Sequence, residues 1–125
     1  MADERRRILV VEDSPMMCRM YKLVLGPAHD LVFAANGAEG LDRAAAGPPF
    51  DLLVVDINMP HMDGIEFVTR LRGELGIHTP VLVSSTETSD ADQEAARAAG
   101  AQAFLAKPWT PDALLAAVRE RLGTA

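Results

Sequence analysis

Several absences narrow the function of this chain before any motif is read. A single cysteine, Cys18, in 125 residues leaves no partner for an intrachain disulfide and no set for a cysteine metal site. It reads as a small, partly buried helix residue. No unbroken apolar stretch approaches the length of a bilayer span, and the charged N-terminal residues do not resemble a signal peptide. A reducing cytoplasm is the expected setting. Positive charge is scarce, with 12 Lys and Arg against 18 Asp and Glu, a formal net charge of -6 and a pI near 4.9. A protein that grips nucleic acid through its phosphates carries a basic stripe, so direct nucleic-acid contact is not expected. The one basic run, Arg5-Arg6-Arg7, reads as a solvated lead-in to the first strand. Linkers, internal repeats and low-complexity segments are also missing. With 49% apolar residues, the 125 residues suffice for one hydrophobic core and are too few for two ordinary domains, so residues 1–125 read as one unit.

What is present is an alternation, repeated five times, of short β-branched apolar runs with longer stretches of helical spacing. The first run, Ile8 to Val11, stops on the acidic pair Glu12-Asp13. Ser14 then supplies an N-cap and Pro15 a first helical position. Met17, Met20, Tyr21, Val24 and Leu25 predict the inward face of that helix before Gly26-Pro27 ends it. Leu31 to Ala34 predicts a second strand, and Asn36 caps a helix running through Leu41 and Ala45 to Gly47-Pro48-Pro49. Leu52 to Val55 is apolar throughout, as expected of a strand covered on both faces in a parallel sheet, and it terminates at Asp56. A loop from Asn58 to Gly64 leads into a helix with Ile65, Val68 and Leu71 inward. Pro80 to Ser84 predicts a fourth strand, Asp90 to Ala99 a helix ended by Gly100, and Ala103 to Ala106 a fifth strand. Thr110-Pro111 opens the last helix, with Leu114, Leu115, Val118 and Leu122 inward. Five such units predict an α/β fold: a doubly wound, five-stranded parallel sheet with five helices on its two faces.

In a sheet of this kind, ligands collect at the carboxyl ends of the strands. The chemistry-bearing residues fall there: Glu12 and Asp13 after the first strand, Asp56 at the end of the third, Ser85 after the fourth and Lys107 after the fifth. Taken singly, each has a blander role. Asp13 would cap a helix, Lys107 would snorkel at the surface and Ser85 would serve a turn. Together at one end of one sheet they describe a site. Three gathered carboxylates repel one another unless a cation sits among them. Mg²⁺ suits such an oxygen set, since it needs few protein ligands and keeps several waters, whereas calcium would want more oxygens. Beside that ion and the Lys107 ammonium, Asp56 can act as a nucleophile toward phosphorus.

Four ordered motifs give the pattern a likeness. They are Val10-Val11-Glu12-Asp13-Ser14; Val55-Asp56-Ile57-Asn58-Met59-Pro60 with Met62-Asp63-Gly64; Pro80-Val81-Leu82-Val83-Ser84-Ser85; and Phe104-Leu105-Ala106-Lys107-Pro108. Over nearly its whole length the chain resembles the CheY-like receiver domains of bacterial response regulators. The resemblance implies a flavodoxin-like strand order 2-1-3-4-5. It implies Asp56 as phosphoacceptor, Asp13 and Asp56 as direct Mg²⁺ ligands with the Asn58 backbone carbonyl, and Glu12 contributing through water. Lys107 would pair with the phosphoryl group, preceding a cis Lys107-Pro108 bond. Ser85 would hydrogen-bond a phosphoryl oxygen, and Phe104 would swing toward the space vacated. The face formed by the fourth helix, fifth strand and fifth helix would then change shape for a protein target. The donor would be a sensor histidine kinase or a histidine phosphotransfer protein. None of His29, His61 and His78 sits in a convincing amphipathic helix, so no donor histidine is expected within the chain, and His61 reads as a loop residue. No effector domain follows the fifth helix in this sequence: for a full-length protein the expected output is protein contact or onward transfer, whereas for a domain excised from a longer regulator the output lies outside these residues.

The chain also departs from the family pattern. Thr86 stands where most members have alanine or another very small residue, which bears on the lifetime of the phosphorylated state. Trp109 replaces the usual phenylalanine after Lys-Pro. Asn58 and Glu87 occupy the two variable positions that tune hydrolysis and match the chemotaxis type. Two other functions compete. An aspartate-nucleophile phosphatase of the haloacid dehalogenase type shares the strand-end Asp and Mg²⁺, but it wants an acid/base Asp where Asn58 stands. A nucleotide or flavin binder would need an anion-binding loop after the first strand, where Glu12-Asp13 would repel phosphate.

Overall fold

The computed structural model describes residues 5–59 and 61–123. Five βα units follow one another: β1 (Arg6–Val11), α1 (Pro15–Leu25), β2 (His29–Ala34), α2 (Gly37–Ala45), β3 (Leu52–Asp56), α3 (Gly64–Gly73), β4 (Val81–Ser85), α4 (Asp90–Ala99), β5 (Ala103–Ala106) and α5 (Pro111–Leu122). All strand pairs are parallel, in the order β2-β1-β3-β4-β5, which is the flavodoxin-like, doubly wound arrangement.

Each helix starts where a short polar side chain can replace a missing intrahelical acceptor. Ser14, Asn36, Asp63, Ser89 and Thr110 accept from Met17, Glu39, Glu66, Asp92 and Ala113, respectively. Ser14, Asn36 and Thr110 are as the sequence predicts. At α2 the Glu39 carboxylate also reaches back, accepting from the Ala35 N–H at 2.6 Å.

The period of two along each strand sorts side chains into two cores. Leu9, Val11, Leu53, Val55, Val81 and Val83 pack with Phe67, Val68, Leu71 and Ala96 under α3 and α4. Ile8, Val10, Leu52, Val54 and Leu82 pack with Tyr21, Leu25, Leu114, Val118 and Leu122 under α1 and α5. The alternation decides which end-of-strand residues share a face, because Glu12, Asp56, Ser84 and Lys107 continue the second set beyond its last apolar layer.

Several boundaries differ from the sequence reading. β1 and β2 begin two residues earlier than expected, since the ladder continues through Arg6 opposite His29 and Arg7 opposite Asp30. β4 is shifted by one, opening at Val81 and taking Ser85 as its last residue. Met20, expected inward, is 39% exposed, because Tyr21 and Leu25 already fill that face. Leu115, Met17 and Val24 are only partly buried against the core. The basic lead-in is not merely solvated: the Arg5 guanidinium donates to Asp30 and to the carbonyls of Gly26, Pro27 and His29, and Arg7 lies over the Phe50 ring at 4.5 Å. Pro60, which belongs to the second motif, and Thr124 and Ala125 lie outside the described residues.

At the end of the sheet opposite the acidic residues, Arg72 gathers the chain. Its guanidinium donates to the carbonyls of Ile77 at 2.8 Å, Thr79 at 2.7 Å and Gly100 at 2.7 Å, and to the Gln102 side chain at 3.2 Å. One side chain thereby ties the exit of α3, the approach to β4 and the α4–β5 turn. Replacing it with Ala strands several acceptors. We expect Arg72→Ala to lower stability by about 2 kcal/mol, read as a lower urea midpoint with an unchanged slope; an unaltered midpoint would show the fork to be dispensable.

Candidate functional site

The loops following β1, β3 and β5 bring their polar residues to one rim of the sheet. Ligand oxygens of Glu12, Asp13 and Asp56 all lie within 4.8 Å of one another. Glu12 and Asp56 are buried, at 3% and 7% exposure, whereas Asp13 is open to solvent. Lys107 reaches in from β5: its Nζ stands 2.7 Å from Glu12 Oε1 and 3.4 Å from Asp56 Oδ1, with 9% of the side chain exposed. The second Glu12 oxygen accepts from the Ser14 N–H at 3.2 Å, so the first residue of the turn helps hold the carboxylate.

The local backbone explains why Asp56 stays put. It closes a strand buried over its whole length, and the following turn is pinned by the Gly64 N–H donating to the Ile57 carbonyl at 2.9 Å. Gly64 has no room for a side chain, since a Cβ there would come 2.5 Å from the Asp56 carbonyl oxygen. His61, in the same loop, adopts a left-handed φ of 71° and is exposed. The Lys107-Pro108 bond is cis, as the resemblance implies.

Burial dominates the electrostatics. It raises the Asp56 and Glu12 carboxyls above the ordinary carboxylate range, and the nearby Lys107 opposes that rise in both without cancelling it. For Lys107, burial acts against the charged form, but the hydrogen bond to Glu12 and the charges of Glu12 and Asp56 outweigh it and hold the ammonium above its usual value. Two buried acids beside one ammonium therefore leave a surplus of negative charge, and Asp13 adds to it. The donor set is all oxygen, hard and anionic, which fits Mg²⁺ and not a soft metal.

The remaining expected residues divide between two places. Asn58, Thr86 and Pro108 line the same cavity as Glu12, Asp13, Asp56 and Lys107, together with Ser14 and Met17. Ser85 is fully buried at the rim, and its Oγ accepts from the Glu87 N–H at 3.0 Å and the Asn58 side-chain amide at 3.4 Å. Phe104 is half-buried on the α3/α4 side of the sheet, beside Gln93, Ala96 and Arg97 of α4. Trp109 packs against Tyr21, with ring centroids 5.2 Å apart. Sequence reasoning missed that contact, and it missed Gly64, for which the crowding around the Asp56 carbonyl is visible only in three dimensions.

Similarity to known proteins agrees with this geometry. Residues 8–119 match the family described as response regulator receiver domain. The chain belongs to that family. It is 36% identical over 112 residues to the transcriptional regulatory protein KdpE of Mycobacterium tuberculosis, covering 90% of this chain and 49% of that one. It is 35% identical over 121 residues to a chemotaxis protein CheY homolog of Campylobacter jejuni, covering 94% of this chain and 93% of that one. The receiver domain thus spans about half of the regulator and nearly all of the chemotaxis protein. Among solved structures, the chemotaxis protein CheY4 of Vibrio cholerae superposes with a TM-score of 0.89 at 35% identity, over 95% of this chain and all of that one. The chain is therefore a receiver of the two-component type with CheY-like relatives. No helix among the described residues is long and apolar enough to cross a membrane.

The direction of the carboxyl shifts has a testable sign. A carboxyl whose proton is held more tightly in the folded than in the unfolded chain contributes stability at low pH, and that contribution is lost as pH rises through the raised folded value. In chelator, Asp56→Asn should therefore be more stable than the parent at neutral pH. The advantage should shrink as pH falls toward the ordinary carboxylate range, and Mg²⁺ should raise the thermal midpoint of the parent far more than that of the variant. A variant less stable than the parent at pH 7 without metal would contradict this balance.

Proposed function

We propose that this receiver domain accepts a phosphoryl group from the phosphohistidine of a sensor kinase or histidine phosphotransfer protein onto a side-chain oxygen of Asp56. The observation that carries the reading is the buried Lys107 ammonium shared by Glu12 and Asp56, beside a cluster in which oxygens of Glu12, Asp13 and Asp56 lie within 4.8 Å of one another. In the transfer an Asp56 oxygen forms the new bond to phosphorus while the bond to the donor imidazole nitrogen breaks, and that nitrogen leaves with the electron pair. Asp56 is suited to attack because its strand end is rigid and shielded from water. Lys107, already poised beside it, offers its charge to the phosphoryl oxygens and exchanges part of its attraction for the carboxylate for attraction to the new dianion. Asp13 and Asp56, with the Asn58 backbone carbonyl and with Glu12 acting through water, would hold Mg²⁺; when bound, the ion offsets carboxylate crowding and charge on the phosphoryl oxygens.

The response would follow from the Ser85 hydroxyl at the end of β4 and from Phe104. Ser85 would give up its present bonds to Glu87 and Asn58 in favour of a phosphoryl oxygen, drawing the β4–α4 loop inward. Phe104, on the same face of the sheet, would follow, and the α4–β5–α5 surface would change shape for a protein target. Thr86 lines the cavity with a branched side chain, which restricts approach to the acyl phosphate, while Asn58 and Glu87 tune its hydrolysis. On this reading the domain acts in the cytoplasm. It assists its own phosphorylation and dephosphorylation and is no enzyme toward outside substrates.

Incubation with acetyl phosphate and Mg²⁺ tests the proposal. Intact-protein mass should rise by one phosphoryl group, chelation should prevent the gain, and Asp56→Ala should abolish it. No added mass on the parent, or a full gain on Asp56→Ala, would refute the assignment. Sustained turnover of ordinary phosphate esters would instead favour a phosphatase of the haloacid dehalogenase type.

A further inference from the structure

The β3–α3 loop carries the Asn58 carbonyl that the proposed function places around Mg²⁺, and its far limb rests on a helix to which that chemistry gives no part. Gly37, the first residue of α2, is buried, and Met62 of the loop is partly buried. A Cβ at Gly37 would come 2.6 Å from Met62 Sδ, 2.9 Å from its Cγ and 3.0 Å from its Cβ. Met62 therefore lies on the α2 backbone along its side chain down to the root, and swinging its tip aside would not clear the space. One turn further along α2, a Cβ at Gly40 would meet Phe67 at 2.8 Å and Val11 at 3.1 Å. Those two belong to the core under α3 and not to the loop. The helix thus presses on two separate things, the core through Gly40 and the loop through Gly37.

The loop backbone gives this contact a consequence. Its two ends are drawn together by the Gly64 N–H donating to the Ile57 carbonyl at 2.9 Å, and Met59 is sunk into the core at 9% exposure. Between Met59 and Met62 stands His61, whose φ of 71° is a left-handed conformation disfavoured for any residue with a Cβ. Such a conformation persists where the surroundings over-determine it, and the two methionines, one in the core and one on α2, flank it. Asn58, next to Met59, lines the same cavity as Glu12, Asp13 and Asp56, and its side chain reaches Ser85 at 3.4 Å. We infer that Met62 is a positioning residue for the acidic site: seated on Gly37, it fixes the far limb of the loop and so keeps Asn58 at the cavity rim. It acts through the loop and not on the ion. An unbranched thioether suits the place, since it can follow the narrow gap that a residue without a side chain leaves at the start of α2.

This inference rests on the proposed Mg²⁺ site, and calorimetric titration of the whole chain with magnesium chloride separates the two. Met62→Ala should weaken binding by roughly three- to tenfold, less than the loss of a hydrogen-bonded partner of a ligand costs, because one ligand of the set is loosened and none is removed. Gly37→Ala should weaken it as well, since the added methyl pushes Met62 off its seat. In the double variant that methyl enters space the shortened side chain leaves, so the affinity should fall by less than the product of the two single losses. Gly40→Ala crowds Phe67 and Val11 instead; it should lower the urea midpoint yet leave the Mg²⁺ affinity within about twofold of the parent. Should either glycine variant fail to fold, Arg72→Ala serves as the destabilised control and Met62→Ala carries the test. Parent-like affinity in Met62→Ala, losses that simply multiply in the double variant, or an equal loss in the destabilised control overturns the positioning role and leaves the proposed function standing. A parent with no affinity for Mg²⁺ overturns both.

Discussion

The ammonium of Lys107, enclosed with the carboxylates of Glu12 and Asp56, is the interaction around which this molecule is arranged. At 2.7 and 3.4 Å in a largely dry setting, each attraction is far stronger than the same pair would be in water. Removing those charges from water is costly in turn, and one cation cannot offset two buried anions with a third beside them. The site is thus held short of electrical balance. Chemistry that brings in positive charge, such as the binding of a divalent cation, uses an imbalance the fold already carries.

That arrangement constrains the scaffold. A lysine just after the fifth strand can meet a glutamate after the first only if β3 and β4 bridge between β1 and β5 in register, and if every strand ends at the same rim. The apolar layers of the α1/α5 face set this alignment, running Ile8, Val10, Leu52, Val54 and Leu82 up to the polar layer of Glu12, Asp56, Ser84 and Lys107. Hydrophobic packing therefore fixes the distances of the charged groups.

Much of this is legible in the residues alone, and the reasons differ from element to element. The strands stand out because an unbroken apolar run that stops at an acid or a hydroxyl is the mark of a buried strand reaching a polar rim. The N-caps stand out because Ser14, Asn36 and Thr110 precede helical spacing. Met20 misleads because α1 offers more apolar residues than the core can accept. The end of β4 falls one residue beyond its expected place because Ser84 and Ser85 are chemically alike, and only pairing with Leu105 and Ala106 tells them apart. Arg72 leaves no trace in the sequence because its partners are mostly backbone carbonyls, which every residue has. Tyr21 reads as core, correctly, while its packing against the Trp109 ring is visible only in three dimensions.

The Arg72 fork bears on motion as well as on cohesion. With charge-assisted bonds clasping the base of α3, β4 and the α4–β5 turn, the lower edge of this half of the sheet is the more firmly tied. The upper edge, where Ser85 is held by weaker neutral bonds, is the free arm. On the proposed reading, a displacement begun there would pass into α4 and β5 above the anchor, toward the α4–β5–α5 surface proposed to meet a protein target.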